Sequence, residues 1–220
     1  MSRVLLTLLL CSVSVPAAAP SGVNTGHSPE IAPIALFLDF EQPPSETILV
    51  QAKQQVEAIL EPSGLRFEWK LLDQARMGED FADLAVVRFK GTCRPASIPM
   101  RPMPDTGMHR AALASTQVSD GQILSFSQVE CDRLREYLAS TGSALNFAQM
   151  DEQFARALAR VMAHELFHIF TRRSQHSSKG VAQGAYTRFD LLQDGFAFDP
   201  RDSAAIGESE ALRSEPESHR

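Results

Sequence analysis

The stretch Leu158-Ala159-Arg160-Val161-Met162-Ala163-His164-Glu165-Leu166-Phe167-His168-Ile169-Phe170 decides how this chain is read. It belongs to a long helical pattern that begins near Asn146, and it is predicted to be helical from Met150 to about Thr171. At 100° per residue, positions four apart project from nearly the same side, so His164 and His168 can aim imidazole nitrogens at one ion. Glu165 lies beside that face without pointing at the ion. A carboxylate belongs there if it is to deprotonate a water on the metal rather than bind the metal itself. Leu158, Met162, Leu166, Ile169 and Phe170 make much of the remaining helix apolar. The helix is therefore expected to be central and buried, where polar groups are costly unless a metal or a partner satisfies them. A pair of core histidines hydrogen-bonded to neighbours is the plain alternative.

A catalytic zinc takes three protein ligands and keeps one position open for water. Downstream candidates for the third ligand are His176, Asp190, Asp194 and Asp199, while His219 lies too near the C-terminus. His176 is favoured, because Arg172, Arg173, Ser174 and Gln175 let the helix end and the chain turn back toward the ion.

His164-Glu165-x-x-His168 with a third histidine after a short turn resembles the metzincin branch of the zincin metallopeptidases, whose motif is His-Glu-x-x-His-x-x-Gly-x-x-His. The run from His164 through His176-Ser177-Ser178-Lys179-Gly180-Val181 is also similar to bacterial secreted zincins with a longer spacing and a His-x-x-x-Gly-Val continuation. The resemblance implies His164, His168 and His176 as ligands of Zn2+ and Glu165 as general base. It also implies hydrolysis of peptide bonds by zinc-activated water. Three positions depart from the metzincin pattern. Thr171 stands where the turn glycine belongs, Ser174 where the third histidine belongs, and no methionine follows Met162 to form the turn beneath the metal, so Val181-Ala182 is expected in its place. The specific motifs cover about twenty residues.

Outward from that helix, the pattern is α+β. Ile34 to Phe40 suits a buried strand, and Ser45 can cap a helix with Ile48, Leu49, Ala52, Val56 and Ile59/Leu60 at helical spacing. Leu65 to Leu72 and Leu84 to Phe89 read as strands. Two strand-like runs between Ala111 and Val129 flank Ser119-Asp120-Gly121-Gln122, where Asp-Gly signals a hairpin. A short helix follows through Asp132 to Ala139. With the resemblance, the expected architecture is zincin-like: a twisted mixed β-sheet, a central active-site helix and a small C-terminal subdomain. Cys93 to Met108 reads as a long surface loop, and residues 201–220 as a mobile tail, being short of large apolar groups.

The N-terminus runs Met-Ser-Arg, an apolar stretch from Val4, then Pro16 and three alanines, the order of a secretory signal peptide cleaved near Ala19. The domain is then expected over residues 20–200, secreted or periplasmic, without a membrane span after cleavage. Loss of Cys11 leaves Cys93 and Cys131, which an oxidising compartment would pair as a disulfide, with two unpaired buried thiols as the alternative. The 220 residues carry a net charge of -6, and no Lys/Arg block marks a nucleic-acid footprint. The expected partner is a peptide or protein substrate, met by a monomer. An extended substrate would add as a strand to the Ala111–Val129 hairpin. Tyr186, the nearest downstream phenol, is either a donor to the oxyanion or a packed aromatic. The competing function is a secreted zinc-binding or structural module without activity, its metal closed by a fourth side chain such as Asp190 or Cys93. An unbridged Cys93 could also act as an inhibitory latch.

Overall fold

The computed structural model describes residues 33–75, 81, 83–95, 112–139 and 146–214. The signal-peptide and lead-in expectations, the body of the loop after Cys93, and His27, His109 and His219 lie outside the described residues.

Five strands form one sheet in the order β2-β1-β3-β5-β4. β1 (Ile34–Gln42) is parallel to β2 (Phe67–Leu71) and to β3 (Leu84–Thr92), and β3 is parallel to β5 (Gln122–Glu130). β4 (Ala114–Ser119) alone runs antiparallel, and it forms one edge. The β4–β5 hairpin turns on Asp120 and Gly121, both with positive φ, 51° and 76°. That conformation is the reason an Asp-Gly pair marks a two-residue hairpin.

The crossover between β1 and β2 is α1 (Glu46–Leu60), capped by Ser45, whose side chain accepts from Ile48 N–H. Ile48, Ala52, Val56, Ile59 and Leu60 form its buried stripe, and it packs against the longest helix, α3 (Phe147–Thr171). α2 (Cys131–Ala139) lies between them in sequence and packs on β3 and α3. In β3, Ala85, Val87 and Phe89 are fully buried while Leu84, Arg88 and Lys90 are exposed. This alternation turns one side of the strand to the core and the other to solvent.

Asn146 starts α3 through a capping box with Gln149: each side chain accepts from the other residue's backbone N–H, at 2.9 and 3.1 Å. From Phe154 to Thr171 every residue except the half-buried Arg156 is buried. The expected central helix is thus present, and it begins three residues before Met150. Cys93, just after β3, and Cys131, at the start of α2, form a disulfide.

One expectation is overturned. Residues Pro200–Ser214 form a helix, α5, where a mobile tail was read, and Ser203 and Ile206 on it are buried. Asp199 Oδ1 accepts from Arg201 N–H, and Pro200 opens the helix, the position that best tolerates proline. α5 docks against α3 and against the turn Glu61–Ser63 that follows α1. Ile206 is the one large apolar side chain among the described buried residues of α5, beside Ser203 and a glycine at the contact, which is why a search for several large apolar groups missed it. The described C-terminal residues, including α4 (Arg188–Leu192), share one compact unit with the sheet, so they do not form a separate subdomain.

Candidate metal centre

α3 crosses the sheet near β5 and β4 and carries His164 and His168 one turn apart, both buried. The helix continues through Thr171, and the chain leaves it at Arg172, whose φ is 53°. A left-handed conformation costs an L-residue about 1–2 kcal/mol. Arg172 offsets part of that by donating to Ile123 O (2.9 Å) and Ser125 Oγ (3.4 Å) of β5.

His176 comes back over the helix. Its Nε2 lies 3.3 Å from His168 Nε2, which lies 3.1 Å from His164 Nε2. His164, His168 and His176 therefore bring one ligand atom each within 4.8 Å of one another and can hold a metal ion. The opposite edges of the two helical rings are tied to backbone carbonyls: His164 Nδ1 to Val181 O at 2.8 Å and His168 Nδ1 to Arg173 O at 2.6 Å. A carbonyl only accepts, so both Nδ1 atoms carry the proton and both Nε2 atoms carry a lone pair. Two lone pairs 3.1 Å apart repel rather than hydrogen-bond; a cation between them turns the repulsion into ligation. Burial lowers the pKa of His164 to about 4, and the neighbouring imidazoles push the same way against the Val181 carbonyl. Burial likewise lowers that of His168. Both rings are accordingly neutral near pH 7, the form that binds metal.

His176 is exposed, so the cluster opens to solvent on its side. The loop that delivers it is closed by Ser177 N–H to Ala182 O (2.9 Å), Val181 N–H to Ala197 O (3.0 Å) and Ser177 Oγ–H to Asp202 Oδ1 (2.7 Å). Val181 and Ala182, the expected substitute for a methionine turn, are fully buried, and the carbonyl of Val181 accepts from His164. Gly180, at φ 72°, passes so close to the next segment that a Cβ would sit 2.6 Å from Ala197 O.

Glu165 is 4% exposed, and its Oε2 accepts from the Thr116 hydroxyl of β4 at 2.6 Å. Burial raises its pKa to about 7, and the Thr116 hydrogen bond opposes that rise. The remaining sequence candidates are elsewhere. Asp190 accepts from Thr187 and Gln183 at the start of α4, Asp194 pairs with Arg156, and Asp199 pairs with Lys179. Cys93 is bridged, which excludes the latch and its use as a fourth ligand. Among the described residues no fourth His, Cys, Asp or Glu joins the three histidines.

The chain matches no protein-family model and no curated protein sequence.

Tyr186 is in the site but behind it. Its hydroxyl donates to Val181 O and lies 3.0 Å from His164 Nδ1, the ring edge away from the cluster. That places it with the second layer of supports rather than at the open face. Arg160, one turn before His164, is 3% exposed and donates to Asp190 O (2.9 Å) and to Gln193 O. It thereby fastens α4 and the following turn to the helix that bears the ligands. Sequence reasoning missed Arg160, Thr116 and Gly184. Only the glycine left a signal, in the small-residue run after Val181.

No described helix is long and apolar enough to cross a membrane.

Proposed function

We propose that this protein is a secreted zinc-dependent metallopeptidase of the metzincin-like zincin type, with His164, His168 and His176 as zinc ligands and Glu165 as general base. The observation that carries the reading is the convergence of three imidazole Nε2 atoms, at 3.1 and 3.3 Å, on a helix that also carries the buried Glu165 carboxylate. Tetrahedral zinc with Zn–N bonds of about 2.0–2.1 Å needs ligand nitrogens about 3.3–3.4 Å apart, close to those spacings. Three imidazoles and an open fourth position suit a catalytic rather than a structural zinc. Zinc held there supplies Lewis acidity, bringing a water's pKa toward 7 and polarising a carbonyl.

The chain's own residues supply the rest. The carbonyls of Val181 and Arg173 fix the tautomer and aim of the helical ligands, as supporting hydrogen bonds do in metal sites generally. Glu165, a buried carboxylate next to the first histidine of the cluster, is the group available to take a proton from water and return it to the leaving amine. An extended peptide could pair with β4, the edge strand among the described residues, whose Thr116 already touches Glu165. The disulfide supports an oxidising compartment, and N-terminal sequencing of the exported protein should begin near residue 20.

The lack of any methionine after Met162 favours a second reading, a zinc-binding module without activity. Glu165 weighs against it, because a structural site has no use for a buried carboxylate beside its first ligand.

Metal analysis of the purified protein should find about one zinc per chain. His176→Ala should weaken metal retention, and normal zinc content in that variant would remove His176 from the ligand set. Glu165→Gln should keep zinc and lose cleavage of casein. A zinc-loaded wild type that cleaves no unfolded protein would sink the peptidase reading and leave the second.

A further inference from the structure

The carboxylate of Glu165 has one hydrogen-bond partner among the described residues, and that partner comes from outside the motif. Thr116 lies on the edge strand β4, opposite Ser127 of β5. The ladder between the two strands loses register immediately after it, between Thr116 and Val118. Such irregularities re-aim side chains, and they gather at sheet edges and next to active sites. Here the half-buried threonine hydroxyl reaches the helix: Thr116 Oγ1 is 2.6 Å from Glu165 Oε2 and 3.3 Å from the Glu165 backbone carbonyl. A hydroxyl has one proton to give, and the shorter contact, to the charged oxygen, is the stronger.

We propose that Thr116 is a positioning residue for the general base: its hydroxyl holds Oε2 of Glu165 and leaves Oε1 to exchange the proton with water and leaving group. This rests on the reading of Glu165 as the base. A glutamate side chain has three rotatable bonds, and on a helix it has no backbone partner of its own to fix its end. Without Thr116 the carboxylate would sample rotamers away from the histidines, and small displacements of a reacting group cost rate rather than substrate affinity. The same bond ties the base to the strand expected to receive the substrate, so the position of β4 and the aim of Glu165 are set together.

The test uses two variants of the full exported chain. Thr116→Val keeps the volume and the β-branch, so β4 should fold as before, while Thr116→Ser keeps the hydroxyl. Both should bind one zinc. Thr116→Val should lose about 10- to 100-fold in kcat on a peptide substrate, the usual effect of removing a supporting hydrogen bond, with KM within about twofold. Thr116→Ser should recover most of kcat. Wild-type kcat in Thr116→Val, or a kcat in Thr116→Ser as low as in Thr116→Val, would overturn the assignment. A readout that needs no activity is the 13C signal of the Glu165 carboxyl, identified by its loss in Glu165→Gln. It should shift in Thr116→Val and stay in place in Thr116→Ser; an unmoved signal in Thr116→Val overturns the proposal even if the wild type proves inactive. Inactivity of the zinc-loaded wild type counts against the peptidase reading alone.

Discussion

Gly184 lies flat against the ring of His176. A Cβ there would stand 3.2 Å from both Cγ and Nδ1 of the imidazole, closer than side chains normally approach. Gly184→Ala should therefore shift His176 by a few tenths of an ångström against the cluster while leaving His164 and His168 on their helix. Metal affinity, measured by competition with a chromophoric chelator, should fall about 10-fold or more, and unchanged affinity would show that the loop gives way instead. At this scale the sequence was legible where chemistry is carried by adjacent positions. His164, Glu165 and His168 are related by helix geometry alone. Thr116 was not legible, because 49 residues separate it from Glu165 and nothing local distinguishes it from any other strand threonine. Tyr186 could be named from its position, but only the hydrogen bond to Val181 O shows that it braces His164 from behind.

Among the elements, α5 departs most from expectation. Gly207 on it meets the backbone of Ser63, where a Cβ would come within 2.7 Å of the carbonyl oxygen, and Ile206 is fully buried. A composition poor in large apolar residues concealed a helix that docks through a buried isoleucine and a glycine in close backbone contact. Ile206→Ala should cost about 2–5 kcal/mol in urea unfolding, as other buried isoleucine truncations do. A cost under about 0.5 kcal/mol would mean that α5 is not docked in solution. The disulfide between Cys93 and Cys131 spans 38 residues. Replacing both cysteines by serine should lower stability by about 3–4 kcal/mol on chain-entropy grounds. Strand and helix types were readable from periodicity in α1, β1, β3 and the β4–β5 hairpin. The edge position of β4 was not, because strand order is set by pairing between distant segments.

For the whole molecule, metal and proton occupancy govern stability together. In metal-free protein, His164 has its pKa lowered from 6.5 to about 4. Between those values the unfolded chain binds a proton that the folded one does not, so this group makes stability rise with pH. Glu165, raised from 4.5 to about 7, does the reverse: its contribution is full below pH 4.5 and is lost as pH rises through 7. The two oppose each other across pH 4–7, and His168, also lowered by burial, adds to the His164 side. Glu165→Gln removes one of them. From pH 4 to 6.5 its metal-free form should gain more stability in urea titrations than the metal-free wild type does, by roughly 3 kcal/mol. A flat profile in the variant would show that His164 titrates normally. Zinc at a thousand times its dissociation constant should add about 4 kcal/mol to the wild type at pH 7, and chelation should remove it.

The sequence by itself determined what lies within one helix: two imidazoles and a carboxylate at fixed angular offsets, because 3.6-residue geometry needs no further information to place side chains four apart. It also determined the alternation of strands and helices through apolar periodicity. Only the tertiary structure decided that His176 closes the cluster, that the Val181 and Arg173 carbonyls turn both lone pairs inward, and that Thr116 reaches Glu165 from the edge strand. Each of these joins atoms from segments that no local propensity relates. Their meeting depends on the sheet order and on where the chain leaves α3 at Arg172.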